Sequence, residues 1–193
     1  VETRSYADLF KTGAWTYAQD ESTDVICAAW GIDDQPIKAW WPDHMVMTLE
    51  QDAAWEGKPI FGDDVEVPQP ATPDDLQHLF DLIEQGEEVE AHNVSFERSL
   101  WENVLTPRYG WVLPGDDQWR DTMAVACYYA MPAGLDPLAR ALGYETKDKA
   151  GTRLISKYSK MNLKTAHGPE PLPRNDFFSF VNYCIHDVKM EQS

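Results

Sequence analysis

Basic residues are in short supply. Lysine and arginine number 16 against 33 aspartates and glutamates in 193 residues, for a formal net charge of −17. A self-sufficient nucleic-acid binder carries a basic face that displaces counterions from phosphates, so at face value the balance argues against DNA or RNA. Cysteine is scarce as well. Cys27, Cys127 and Cys184 lie far apart and form no Cys-x-x-Cys pair, which gives a zinc site or a disulfide framework little support and points to a reducing compartment. No apolar run is long enough to span a bilayer and no basic-then-apolar leader opens the chain, so a cytoplasmic protein with no membrane partner is expected. Gly-x-Ser-x-Gly, a Gly-rich phosphate loop and His-Glu-x-x-His are all missing, and with them the nucleophile and phosphate-loop chemistries those motifs carry. Internal repeats and low-complexity tracts are missing too.

What the chain does have is aromatic bulk. Eight Trp, eight Tyr and seven Phe allow a packed interior, and the length suits one domain with a substantial core. The cations that exist are unevenly placed: seven of the sixteen fall between Arg140 and Lys164, opposed there only by Glu145 and Asp148. In "GTRLISKYSKMNLK", Arg153, Lys157, Lys160 and Lys164 recur at helical spacing, while Leu154, Tyr158 and Met161 mark another face. A solvated helix face and a phosphate-tracking stripe both satisfy that pattern.

"VETRS" reads as a strand entered midway, as though the chain start were cut. "DVICAAWGI" and "PIKAWW", separated by "DDQ", read as a hairpin. Residues 62–73 form an acidic, proline-rich loop that ends in a helix start, with Thr72 as N-cap and Pro73 at the first helical position; Gly86 stops that helix. A short strand through Val89 and Ala91 precedes a helix carrying Leu100, Trp101 and Val104, closed at Thr106-Pro107. Asp121 opens a helix ended by Pro132, and "LDPLARALG" forms a short one leaving at Gly143. The last helix opens at Asn175 or Asp176 and buries Phe177, Phe180, Val181, Cys184 and Val188. Strands first, helices later and an alternation between them predict an α/β fold, a mixed central β-sheet flanked by α-helices.

Acidic residues at element ends are the remaining candidates for chemistry: Glu2, Glu97, Asp121 and Asp187. Several carboxylates from distant segments are what a pair of hard divalent cations requires. Tyr183 and Asp187 are four apart and share one helical face. Spacing alone fits either a tyrosine bonded to a nearby carboxylate or half of a site.

In order along the chain, "ETRS…DLFKTGAWTYA…TDVICAAWGID", "AHNVSFERSLW", "RDTMAVA…LDPLARALG" and "NYCIHDV" resemble the DEDD 3′-to-5′ exonucleases of the ribonuclease H-like fold, above all the proofreading domains of bacteriophage-type family A DNA polymerases. The likeness covers nearly the whole chain and includes "DKAGTRLISKYS". It implies a single exonuclease domain over residues 1–193, the N-terminal part of a longer polymerase, working in the host cytoplasm on single-stranded or frayed DNA 3′ ends. It also implies two divalent cations, Mg2+ or Mn2+, and a polymerase domain in the same or a partner chain.

In the first motif, Asp-x-Glu-Thr, Glu2 becomes a metal ligand and the Thr3 backbone lies near the terminal nucleotide; the leading Asp falls just before Val1. In the second motif Asn93 and Phe96 fit and the acid is Glu97, acting through metal-bound water. In the third, Tyr-x-x-x-Asp places Tyr183 as the water-orienting group and Asp187 as a ligand, which is the tyrosine subclass, since Asn182 stands where the other subclass has histidine. His186 is then not the base, Asp121 is a helix cap or supporting residue, and His92 is a strand-end histidine bonded to backbone. Tyr6 and Phe96 are candidates for base stacking or for core. The alternatives are a free-standing exoribonuclease or oligonuclease on the same fold, and a catalytically degenerate interaction domain, motivated by the unseen Asp and by Glu97.

Overall fold

The longest strand runs through the middle of the molecule. In the computed structural model, which describes residues 1–57, 60, 65–144, 149–161 and 168–192, β1 (Glu2–Arg4) pairs antiparallel with β2 (Asp24–Trp30), and β2 pairs antiparallel with β3 (Lys38–Trp40). A second ladder joins β4 (Val89–Ala91) to β5 (Trp119–Asp121) in parallel. The fold is α/β, as expected. Antiparallel and parallel pairings are both present, and among the described residues they form two ladders, of three and two strands, in place of one continuous mixed sheet.

Each side of β2 faces a core. Val25 and Ala28 belong to one apolar cluster, and Ile26 and Cys27 to the other, which is why "VICAA" is a continuous apolar run with no polar alternation. The first cluster accounts for most of the tryptophan. Trp111 meets Trp30, Trp40, Phe80 and Trp101 edge-on at centroid distances of 5.9, 5.2, 5.8 and 5.2 Å, and Trp101 goes on to Trp119 at 5.6 Å. Such pairs add about 0.5–1.5 kcal/mol each beyond their buried area.

The first half of the chain carries α1 (Leu9–Gln19), α2 (Leu49–Ala54), α3 (Pro73–Gln85), α4 (Val94–Leu100) and α5 (Thr106–Tyr109), with a π-helical turn over Trp101–Leu105 joining the last two; all but α2 contribute to this cluster. α3 starts and stops where its sequence predicts. Thr72 and Asp75 form a reciprocal capping box, and Gly86 sits in the left-handed region at φ 89°. The helix expected to close at Thr106-Pro107 instead continues to Tyr109, because Pro107 occupies the first turn of a new helical segment, where its missing N–H costs nothing; Gly110 ends it. α1, which the apolar pattern does not reveal, is kinked at Gly13, whose φ of 77° interrupts the periodicity.

The second half carries α6 (Thr122–Tyr128), α7 (Leu135–Leu142), α8 (Lys149–Leu154) with a π-helical turn over Ile155–Ser159, and α9 (Arg174–Glu191). α6 ends four residues before Pro132. Among the described residues, no helix is long and apolar enough to cross a membrane. α9 lies across β2, and Phe177, Phe180, Val181 and Cys184 pack with Ile26, Cys27, Met45 and Leu154. Val188 is only partly buried.

One carboxylate fixes the start of α9. Asp176 is 0% exposed and accepts from Ile60 N at 2.5 Å, from Lys157 Nζ at 3.1 Å and from the Tyr158 hydroxyl. Burial, with Asp176 as neighbour, holds the Tyr158 phenol well above its ordinary pKa. The cation stripe is thus partly engaged within the fold: Lys157 pairs with Asp176, and Lys160 with Asp8 at 2.6 Å. Lys164 lies outside the described residues. Removing a buried charge partner costs more than the pair itself contributes, because the remaining ammonium and phenol keep their desolvation. Asp176→Ala is expected to lower the unfolding free energy by about 3 kcal/mol in urea denaturation, and Asp176→Asn by less; a loss below about 0.5 kcal/mol for the alanine variant would contradict this clamp.

Candidate functional site

Four segments that are distant in sequence meet at the ends of β1 and β4. The backbone nitrogen of Val1 donates to Glu97 Oε1 at 3.3 Å, which brings the start of β1 against the first turn of α4. Glu2 stands opposite Cys27 in the β1–β2 register, Cys27 is hydrogen-bonded to Cys184 of α9, and Cys184 follows Tyr183. At the far end of α9, the Glu191 carboxylate lies near the charges of Glu97 and Asp187 and beside the His92 backbone, at the end of β4. The three motif segments are therefore neighbours in space.

The second motif owes its shape to two polar clamps. Asn93 adopts a left-handed conformation at φ 72°, which asparagine tolerates, and so turns the chain sharply from β4 into α4. Asp121 Oδ1 accepts from Asn93 N at 3.2 Å, and also from Met123 N at 2.9 Å and Ala124 N at 3.3 Å. One carboxylate thereby caps α6 and holds the turn of the second motif. The expected cap is present, and the tie to Asn93 extends it. His92 is the strand-end histidine expected: its Nε2 lies 2.7 Å from Ala133 O and its Nδ1 3.2 Å from Thr122 Oγ1. The Asn93 side chain accepts from Ser95 Oγ at 2.9 Å.

Among the proposed substrate contacts, Thr3 is buried and its hydroxyl lies 2.9 Å from the Tyr17 hydroxyl. Burial raises the Tyr17 phenol to about 12. Phe96 is half-buried beside Tyr17, with ring centroids 6.3 Å apart, and belongs to the edge of the first core cluster. Tyr6 is half-buried, and its N–H donates to Ser22 Oγ at 2.9 Å.

The acids differ in exposure. Glu97 has a side chain 18% exposed, and burial raises its carboxyl above the ordinary value. Asp187 is partly buried, and Tyr183 is 8% exposed. Glu191 is a residue that motif matching missed. It stands exposed over much of its length, yet burial of its carboxyl end, followed by the nearby charge of Glu97 and more weakly that of Asp187, raises it to about 7. The signal that would have found it is the helical spacing: Glu191 follows Asp187 by four, as Asp187 follows Tyr183.

Among the described residues, no three His, Cys, Asp or Glu side chains stand together closely enough to hold a metal ion. The acidic side chains of these segments, Glu2, Glu97 and Asp187, carry oxygen donors of the type a hard cation takes.

The chain is similar to a phage DNA polymerase. It is 28% identical over 202 aligned residues to the DNA polymerase of Bacillus phage SP02, across all of this chain and 26% of that protein, so it spans about a quarter of the relative's length. No protein-family model matches the chain, and no solved structure matches it.

Asp121→Ala is expected to cost about 1–2 kcal/mol in stability, the range for a lost N-cap, and to speed hydrogen exchange at the Asn93 amide. Unchanged exchange at Asn93 would show that Asp121 caps α6 without holding the second motif.

Proposed function

We propose that the chain is a 3′-to-5′ exonuclease domain on a ribonuclease H-like fold, removing nucleoside 5′-monophosphates from single-stranded or frayed DNA ends as the proofreading part of a DNA polymerase. The observation that supports this reading is the approach of the start of β1 to Glu97 of α4, and of the end of α9 to Glu97, from segments about 90 residues apart. Similarity to a phage DNA polymerase over the full length of the chain supports the polymerase setting.

Glu2, Asp187 and Glu97 would hold two divalent cations, Mg2+ or Mn2+, which when bound lower the pKa of a water and neutralise the leaving 3′-oxygen. Tyr183, one turn before Asp187 on the same face of α9, orients the attacking water, since a phenol both donates and accepts. The Thr3 backbone and Asn93 border the terminal nucleotide, and Tyr6 and Phe96 offer ring edges to its base. The strongly acidic surface suits a domain whose DNA affinity comes mainly from a tethered polymerase, which raises the effective concentration of the 3′ end. The polymerase portion lies in the same chain or in a partner, and the work is done in the host cytoplasm if the chain is of phage origin.

A second reading, an inactive interaction domain, is favoured by one observation: no three-ligand group is assembled among the described residues. Trimming of a labelled single strand in Mg2+ or Mn2+ decides between them, with matched DNA and RNA oligomers run in parallel. Asp187→Ala is expected to lower the rate at least about a hundredfold, and Tyr183→Phe by about tenfold or more. Undiminished trimming by Asp187→Ala rejects the site, and no metal-dependent trimming by the wild-type chain supports the inactive domain. Faster trimming of RNA would move the substrate to the free-standing exoribonuclease alternative.

A further inference from the structure

Gly151 sits on the buried side of α8, where that helix meets α9. A Cβ built on it would lie 2.0 Å from Tyr183 Cε2, 2.1 Å from Cδ2 and 2.7 Å from Cζ. These are overlaps with the ring itself, well inside any permitted contact. Both partners are held. Leu154 and Tyr158, further along the same segment, are buried in the second core cluster, and Tyr183 is flanked on α9 by the buried Val181 and Cys184. Neither helix can back away without opening that cluster.

Glycine in a helix is otherwise a liability, since alanine is the better helix former. Its backbone needs no left-handed conformation here, because no positive φ is recorded at this position. The missing side chain is therefore explained by the approach of the ring.

We propose that Gly151 is a positioning residue, and that the space left by its absent side chain fixes where the Tyr183 phenol stands relative to Asp187, four residues further along α9. The inference rests on the reading of Tyr183 and Asp187 as the catalytic pair. A methyl group at Gly151 turns the Tyr183 ring out of its place while improving the intrinsic helicity of α8, so any loss of rate reports the ring and not the helix. Misplacement of a catalytic group by about 1 Å can cost on the order of 10²-fold in rate.

The test is a double-mutant cycle with a structural readout. Gly151→Ala, Tyr183→Phe and the double variant are compared with wild type for kcat and KM on a 3′-labelled DNA single strand in Mn2+, after circular dichroism and thermal melts establish folding. The Tyr183 ring resonances, assigned by their loss in Tyr183→Phe, are followed by aromatic NMR. Gly151→Ala is expected to shift those resonances, to lower kcat about tenfold or more with KM little changed, and to add nothing to Tyr183→Phe in the double variant. Unshifted resonances overturn the inference whatever the activity, and so do rate losses that multiply in the double variant. If instead Tyr183→Phe is as active as wild type, the reading of the catalytic pair fails, and the inference fails with it by that separate route. If Gly151→Ala does not fold, the wild-type chain carries the test: nuclear Overhauser contacts between the Gly151 α-protons and the Tyr183 ring are expected, and their absence overturns the inference.

Discussion

The packing of α9 on β2 is the contact on which the rest of the structure depends. Ile26 and Cys27 on the strand, and Phe177, Phe180, Val181 and Cys184 on the helix, are almost fully withdrawn from water. Each large apolar side chain buried in this way contributes about 1.5–3 kcal/mol. The same helix carries Tyr183, Asp187 and Glu191, so its depth and rotation on the strand set where those groups point. Its start is fixed by polar contacts. Buried Asp176 there collects an ammonium, a phenol and a backbone N–H. Apolar burial supplies the adhesion and these hydrogen bonds supply the register, since only they are directional.

The charge balance acquires a physical sense once the acids are located. Glu97 and Glu191 are both raised by burial, and Glu191 is raised further by its acidic neighbours. Such crowding is unfavourable, and under the proposed function a divalent cation would relieve it. Two lysines of the expected stripe are drawn into ion pairs with Asp176 and Asp8, leaving less of that segment for phosphates than its sequence suggests. This is compatible with the proposed reliance on a tethered polymerase for DNA affinity.

Legibility in the sequence followed the range of the interaction. Thr72, Pro73, Asp75 and Gly86 specify both ends of α3 through contacts within a few residues, so the helix could be read directly. The Asp121 cap was visible for the same reason, whereas the left-handed turn at Asn93 was not anticipated. The pattern did not reveal α1, where Gly13 breaks the period, or β5, a strand of three residues that exists only through its pairing with β4. The stacking role expected of Phe96 is complicated by its place beside Tyr17, a contact that no local pattern encodes. Gly151 shows the limit most clearly. Within its own helix it is simply a poor residue, and its reason lies on another helix 32 positions away.

The central claim is that Glu2, Glu97 and Asp187 converge on two divalent cations at a DNA 3′ end. Counting bound Mn2+ by electron paramagnetic resonance, with a nucleoside 5′-monophosphate present as product, tests it without relying on turnover. Two ions per wild-type chain, with a spin–spin signature that Asp187→Ala abolishes, is the result this account predicts. Stoichiometric binding that Asp187→Ala leaves unchanged, or none at all at millimolar Mn2+, would contradict it.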